Sequence, residues 1–175
     1  MATAEQMIDC SVCIQDISAF KQNALLSITL LSSITAGFGK LFHAINSEAD
    51  KAKTKGVKLN LTFGDRSLVN AHRHSGTEDC PAMFKLELEP DEWRVFTKRI
   101  VSREIYQTSG ADYRTLESLV TAAEKRQDAW HESCRFAEDL DCHDQVVQTD
   151  DCSIFKLTGQ IRSDIGRFEI RQPSH

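Results

Sequence analysis

Phe20, Ala24, Ile28, Leu31, Ile34, Phe38, Leu41 or Phe42, Ile45, Ala49 and Ala52 follow one another at spacings of three and four. That is the period of one face of an α-helix, and it predicts a single long helix over residues 17–55. Leu25, Leu26 and Leu30 widen the stripe, so the first half of the helix is expected to be buried on most sides. Asp16 or Ser18 suits the N-cap position. Lys51, Lys53 and Lys55 put cations at the negative end of the helix dipole. Gly56 suits the left-handed turn that ends a helix. Gly37 and Gly39 are costly inside it and mark a bend or a close helix contact.

The pattern then changes period. "VKLNLTF" (57–63) sets Val57, Leu59, Leu61 and Phe63 on one side, and "MFKLELE" (83–89) does the same with Phe84, Leu86 and Leu88. Both read as half-buried strands. The 19 residues between them, "GDRSLVNAHRHSGTEDCPA", read as a loop, long enough to be mobile or functional. Pro90, Asp91 and Glu92 then open a helix over 90–107. Trp93, Phe96, Ile100 and Ile105 lie along one face of it. A further helix over 115–140 turns Leu116, Leu119, Val120, Ala123, Trp130 and Cys134 inward. From Phe136 to Cys152 there are six Asp or Glu and no Lys or Arg, a solvated acidic connector. The last segment fits a helix through Leu157, Ile161, Ile165 and Phe168, while Gly159 and Gly166 weaken it. The pattern as a whole predicts a mostly α protein, a helical bundle around one long central helix with a small two-stranded β element. It is expected to be a single domain over 1–175. Residues 10–140 form its helical core, and 141–175 form the acidic connector and C-terminal segment.

Composition narrows the class. With 175 residues, the chain is long enough to bury a core without a disulfide or metal. A net charge of −5 argues against direct nucleic-acid binding. Polar residues such as Gln22, Asn23, Ser32 and Lys40 interrupt the long apolar run, which argues against a membrane span. The first ten residues carry no Lys or Arg, so they do not read as a secretory signal. An intracellular location, nuclear or cytoplasmic, is expected, with the six cysteines as free thiols.

Candidate chemistry is sparse. Cys10 and Cys13 form a C-x-x-C pair, and His72, His74 and Cys80 are the nearest residues that can complete a metal site. A structural zinc site usually has a second close pair, so no metal is expected. The loop "HRHSGTEDC" gathers His72, His74 and Asp79, imidazoles and a carboxylate with acid–base capacity. A polar surface loop collects the same residues without chemistry. Trp93, Trp130 and Phe38 are candidate ligand-binding residues, although large aromatics at helical spacing are more often packing anchors. Phosphate-cradling, dinucleotide, zinc-protease and nucleophile-elbow motifs are absent from the sequence, and no cofactor is expected.

The order of segments is itself informative. A C-x-x-C pair precedes the Leu/Ile/Ser-rich helix that ends in "INSEADKAKTKGVKLNLTFGD". "FKLELEPDEWRVFTKRIVSREI" and "TLESLVTAAEKRQDAWHES" follow. Over residues 10 to 138 this organisation resembles the C-terminal regulatory region of fungal binuclear zinc-cluster transcription factors of the aflatoxin-regulator type. The DNA-binding module of that family needs six cysteines in two close groups, and here only Cys10 and Cys13 stand close together. The resemblance therefore implies a regulatory module without its DNA reader.

The expected function is a non-enzymatic dimerisation or ligand-sensing module linked to fungal secondary-metabolite gene regulation. Its expected partners are a protein or a second copy, with a small apolar metabolite as a possible ligand. The rival expectation is a small cofactor-free enzyme, a cyclase or isomerase acting on a polyketide-like metabolite through His72 and His74.

Overall fold

A computed structural model of the chain describes residues 2–10, 17–64, 83–106, 114–136 and 152–168. Among these residues the chain is mostly helical. The elements run α1 (Ala2–Ile8), α2 (Ile17–Lys55), β1 (Leu59–Gly64), β2 (Met83–Leu88), α3 (Pro90–Tyr106), α4 (Leu116–Phe136) and α5 (Ser153–Gly166). The long helix α2 contacts the other helices. The chain divides into two compact units. One is built on α1, α2 as far as Lys40, the end of α3, α4 and α5. The other is built on the rest of α2, the β-hairpin and α3 as far as Ile100.

Helix α2 is 39 residues long, about 60 Å by the rise of an α-helix. Its buried stripe is Phe20, Ile28, Leu31, Phe42, Ile45, Ala49 and Ala52, so the helical period in the sequence selects Phe42 over Leu41. Hydroxyls that would otherwise compete with the helix bond within it. Thr29 and Thr35 donate to the carbonyls of Leu25 and Leu31, at 2.8 and 2.9 Å. Leu25 and Leu26 correct the expected burial on most sides, since 49% and 60% of their surfaces are exposed. Sequence hydrophobicity made the stripe too wide, because neighbours cover only one face. Over its most apolar 18 residues α2 has a mean hydropathy of 1.5. It is the one described helix that meets the length and composition of a membrane span.

Gly56 ends α2 as expected, with φ +64°. The Val57 N–H donates to Ala52 O at 3.1 Å and the Gly56 N–H to Lys53 O at 3.2 Å. This paired Schellman closure needs a left-handed residue at position 56.

Helix α3 starts as its sequence dictates. Pro90 occupies the first turn, where its missing N–H costs nothing, and the Glu89 N–H donates back to Glu92 Oε2 at 3.2 Å. Thr115 caps α4, accepting from the Ser118 N–H at 3.3 Å.

In the unit holding α1, α4 and α5, the fully enclosed side chains include Phe20, Leu31, Ile105, Leu116, Leu119 and Val120. Helix α5 resolves the ambiguous C-terminal segment. Its buried positions are Ile154, Thr158, Ile161 and Ile165. Leu157 fits the helical period with Ile161 and Ile165 but is 41% exposed, because the buried stripe runs through Ile154 and Thr158. Ala4 and Ile8 of α1 are also buried, so this core includes residues on both sides of the 10–140 span. The inward position expected of Cys134, and the acidic connector up to residue 151, lie outside the residues whose side chains are described.

Candidate interaction surface

The hairpin and α3 together carry Phe84, Val95, Phe96 and Ile100 among the exposed large apolar side chains of the described residues. The hairpin strands pair antiparallel, with Leu59 opposite Leu88, Leu61 opposite Leu86 and Phe63 opposite Phe84. Because strand side chains alternate, these six residues share one face, and Asn60, Thr62, Lys85 and Glu87 share the other. Phe63 packs edge-on against Phe96 of α3, with ring centroids 5.8 Å apart and planes at 80°. Phe84 remains 63% exposed. On α3, Val95, Phe96 and Ile100 are 47%, 44% and 38% exposed.

These exposures correct three expectations. Phe96 and Ile100, expected along one face with Ile105, are exposed whereas Ile105 is buried. Phe84 is not half-buried like the rest of its strand face. Val57 precedes the strand and is 49% exposed. The physical reason is that a two-stranded sheet and one helix face cannot enclose this much apolar surface. Large exposed apolar patches mark interaction sites.

Charged pairs fix the frame behind this surface. Lys53 of α2 donates to Asp91 of α3 at 2.6 Å, Arg94 donates to Asp50, and Lys58 lies 3.4 Å from Glu89. The Lys53 hydrogen bond holds the Asp91 carboxyl below the usual carboxylate range. Such exposed pairs orient helices more than they stabilise them.

A second concentration of functional groups lies around α4. Phe20 stacks on Trp130 at 5.1 Å and 9°, and His131 stacks on Phe155 at 6.0 Å. His131 is only 4% exposed, and its Nε2 lies 3.1 Å from Gln127 Nε2. The guanidinium of Arg126 donates to the carbonyls of Met7 at 2.6 Å, Ile8, and Cys10 at 3.0 Å. It also lies 5.2 Å from the centre of the Phe20 ring. The last carbonyls of α1 are thereby capped by a half-buried cation. The space enclosed beside Phe20, Gln127 and Ile154 is about 10 Å³, room for one water. This cluster is a packed core.

Helices α4 and α5 are joined by a forked ion pair. Arg162 Nη2 donates to Glu124 Oε2 at 2.6 Å, Nε donates to Oε1 at 3.1 Å, and Nη2 also reaches Thr121 Oγ1 at 2.9 Å. Burial pushes the Glu124 carboxyl up, but the Arg162 and Thr158 hydrogen bonds and the Arg162 charge together outweigh it and hold the pKa below its ordinary value.

The residues singled out in the sequence fall in different places. Trp130 is a core anchor whose face is occupied by Phe20. Trp93 is half-buried on α3, and among the described residues its indole N–H has no hydrogen-bond partner. Phe38 is half-buried on α2. Cys10 is half-buried, and its carbonyl accepts from Arg126. Cys13, His72, His74, Asp79 and Cys80 lie outside the described residues, so no geometry joins them. Among the described residues no three His, Cys, Asp or Glu side chains come together as metal ligands. Arg126, Gln127 and His131 were missed by sequence reasoning. The available signal was position: Gln127 follows Ala123 by four residues and His131 follows Gln127 by four, on the core stripe of α4.

Comparison of the chain with family models, curated proteins and solved structures finds no match.

Proposed function

We propose that the chain is a non-enzymatic interaction module that docks a protein partner through the hairpin and α3. The observation that carries this reading is the exposure of Phe84 and Phe96 beside the apolar strand face. Exposed aromatics on a rigid frame suit the anchor positions of protein interfaces. The resemblance over residues 10 to 138 supports a regulatory setting, control of a fungal secondary-metabolite gene cluster, without direct contact to DNA.

The competing role is acid–base catalysis by His72 and His74. Its test is replacement of both by alanine in a host expressing the neighbouring biosynthetic genes, followed by product profiling. An interaction module keeps its full product set when both imidazoles are removed. Loss of one defined product from a normally folded protein would transfer the function to an enzyme.

A further inference from the structure

We propose that the outward face of α3 binds an acidic amphipathic helix of a partner protein, whose apolar residues sit on Phe96 and Ile100 and whose carboxylate pairs with Arg99. This rests on the interaction reading above and names the chemistry of the partner.

The face is set by helical geometry. At about 100° per residue, Val95, Arg99, Phe96 and Ile100 follow one another around α3 within an arc of about 140°. All four side chains are exposed. Arg94 lies on the opposite side of the helix, bonded to Asp50 of α2. The inner side of α3 is thus turned to α2, and the outer side carries the exposed arc. Phe63 packs edge-on against Phe96, so the hairpin holds this ring in place. Phe96 and Ile100 are four residues apart, on one ridge of the helix surface. The groove beside such a ridge receives the side chains of a second helix. A helix docked in this way presents apolar anchors at spacings of three and four.

Charge selects the partner. Arg99 stands about 40° from Val95 and about 60° from Phe96 around the helix, inside the apolar arc and not at its margin. A purely apolar helix laid on this arc would desolvate the guanidinium without a counter-charge, which is costly. A carboxylate on the incoming helix removes that cost. It also accepts the two-pronged hydrogen bonding that an arginine offers, which fixes the register of the docked helix. The carboxylates described in this unit are committed elsewhere. Asp91 pairs with Lys53, Asp50 with Arg94, Glu89 with Lys58 and Glu48 with Lys51. Glu92 accepts the Glu89 N–H, and Glu87 lies on the polar face of the hairpin. The described residues of the unit hold eight Lys or Arg against six Asp or Glu, although the whole chain has a net charge of −5. The local balance favours an acidic partner over a basic one.

Selection on the full chain from a phage-displayed library of random peptides tests this, with peptides of about 15 residues, enough for a helix that forms on binding. Recovered sequences should combine large apolar residues three or four positions apart with Asp or Glu, and should be more acidic than the unselected library. The most enriched sequence, synthesised with a fluorescein label, should bind the full chain in an anisotropy titration. Its binding should weaken as sodium chloride rises from about 50 to about 500 mM. Arg99→Glu should weaken binding by about tenfold or more. Replacing the peptide's Asp and Glu by Lys should restore affinity for the Arg99→Glu chain to within about threefold of the starting pair. Ile100→Ser should weaken binding of the original peptide by about fivefold or more. Both positions are exposed, and far-UV circular dichroism verifies that each variant folds.

A library without enriched sequences, enriched sequences that are basic or neutral, or an acidic peptide indifferent to Arg99→Glu would each overturn the proposal. Neutral peptides that lose binding on Ile100→Ser would overturn the acidic partner and leave the interaction reading with another partner. An acidic peptide lost on Arg99→Glu, from a chain in which Phe84→Asp keeps full function, would support the binding face and overturn the interaction reading.

Discussion

Phe63 and Phe84 stand opposite each other in the hairpin register, yet their surroundings differ. Phe63 is half-buried with its ring edge-on to Phe96, whereas Phe84 keeps 63% of its surface exposed. Cross-strand partners on one face thus divide between holding the unit together and facing outward.

The division gives unequal costs for the same substitution. Phe63→Ala removes an aromatic contact and should destabilise the fold by about 1–3 kcal/mol. Phe84→Ala should stay within about 0.5 kcal/mol of the unsubstituted chain when measured as a monomer. Urea denaturation at low protein concentration measures both. Equal losses at the two positions would show that Phe84 is also a packing residue.

The two faces of α2 can be separated by charge. Leu31 is fully enclosed and Leu26 is 60% exposed. Leu31→Asp places an unpaired charge in the core and should cost about 4 kcal/mol or more, enough to unfold a marginal domain. Leu26→Asp should leave the melting temperature within a few degrees. Thermal melts followed by circular dichroism distinguish them, and comparable melting of the two variants would contradict the one-sided stripe.

Arg126 holds α1 to α4 through three carbonyls. Arg126→Met should cost about 2–4 kcal/mol, since bonds from a charged donor are lost and the carbonyls lose their partner. Arg126→Lys should recover only part of this, because an ammonium lacks the planar fork and stacks less well on Phe20. Hydrogen exchange should show the α1 amides losing protection before those of α4. Unchanged exchange in α1 would show that its packing through Ala4 and Ile8 suffices.

The Arg162–Glu124 fork predicts a direction for acid sensitivity. The folded-state pKa of Glu124 lies below its ordinary value of 4.5. The fork therefore contributes its full stability above the unfolded pKa. That contribution is lost as pH falls from about 4.5 through the lowered folded value. Glu124→Gln should be less stable than the unsubstituted chain at pH 7, and the gap should narrow toward pH 3. Urea midpoints across that range measure the slope; a gap that stays constant would show that the carboxylate charge contributes nothing.

Much of the architecture is legible in the sequence where local chemistry decides it. The α2 stripe follows from helical period, its end from Gly56, and the start of α3 from Pro90 and Glu92. The hairpin faces follow from alternation. What depends on neighbours is not legible. Nothing local distinguishes Leu25 and Leu26 from Leu31, because exposure depends on which side other helices occupy. Leu157 looks more apolar than Thr158, yet Thr158 is the buried one, its hydroxyl donating to Phe155 O at 3.1 Å. Gln127 and His131 were passed over because polar residues interrupt an apolar pattern even when they lie on its face. At the candidate surface the alternation located Phe84 on the apolar face. Its exposure depends on the number of strands and the reach of α3, which the alternation does not carry.

Docking through the hairpin face is tested most directly by transcript levels of the genes neighbouring its own in the organism that carries it. The native gene is replaced by one encoding Phe84→Asp, and the protein is checked for normal abundance and melting. If the exposed aromatic docks a partner required for regulation, transcripts of the cluster fall together, by about tenfold for loss of one buried anchor. Transcripts unchanged by Phe84→Asp in a folded, normally abundant protein would contradict the interaction module.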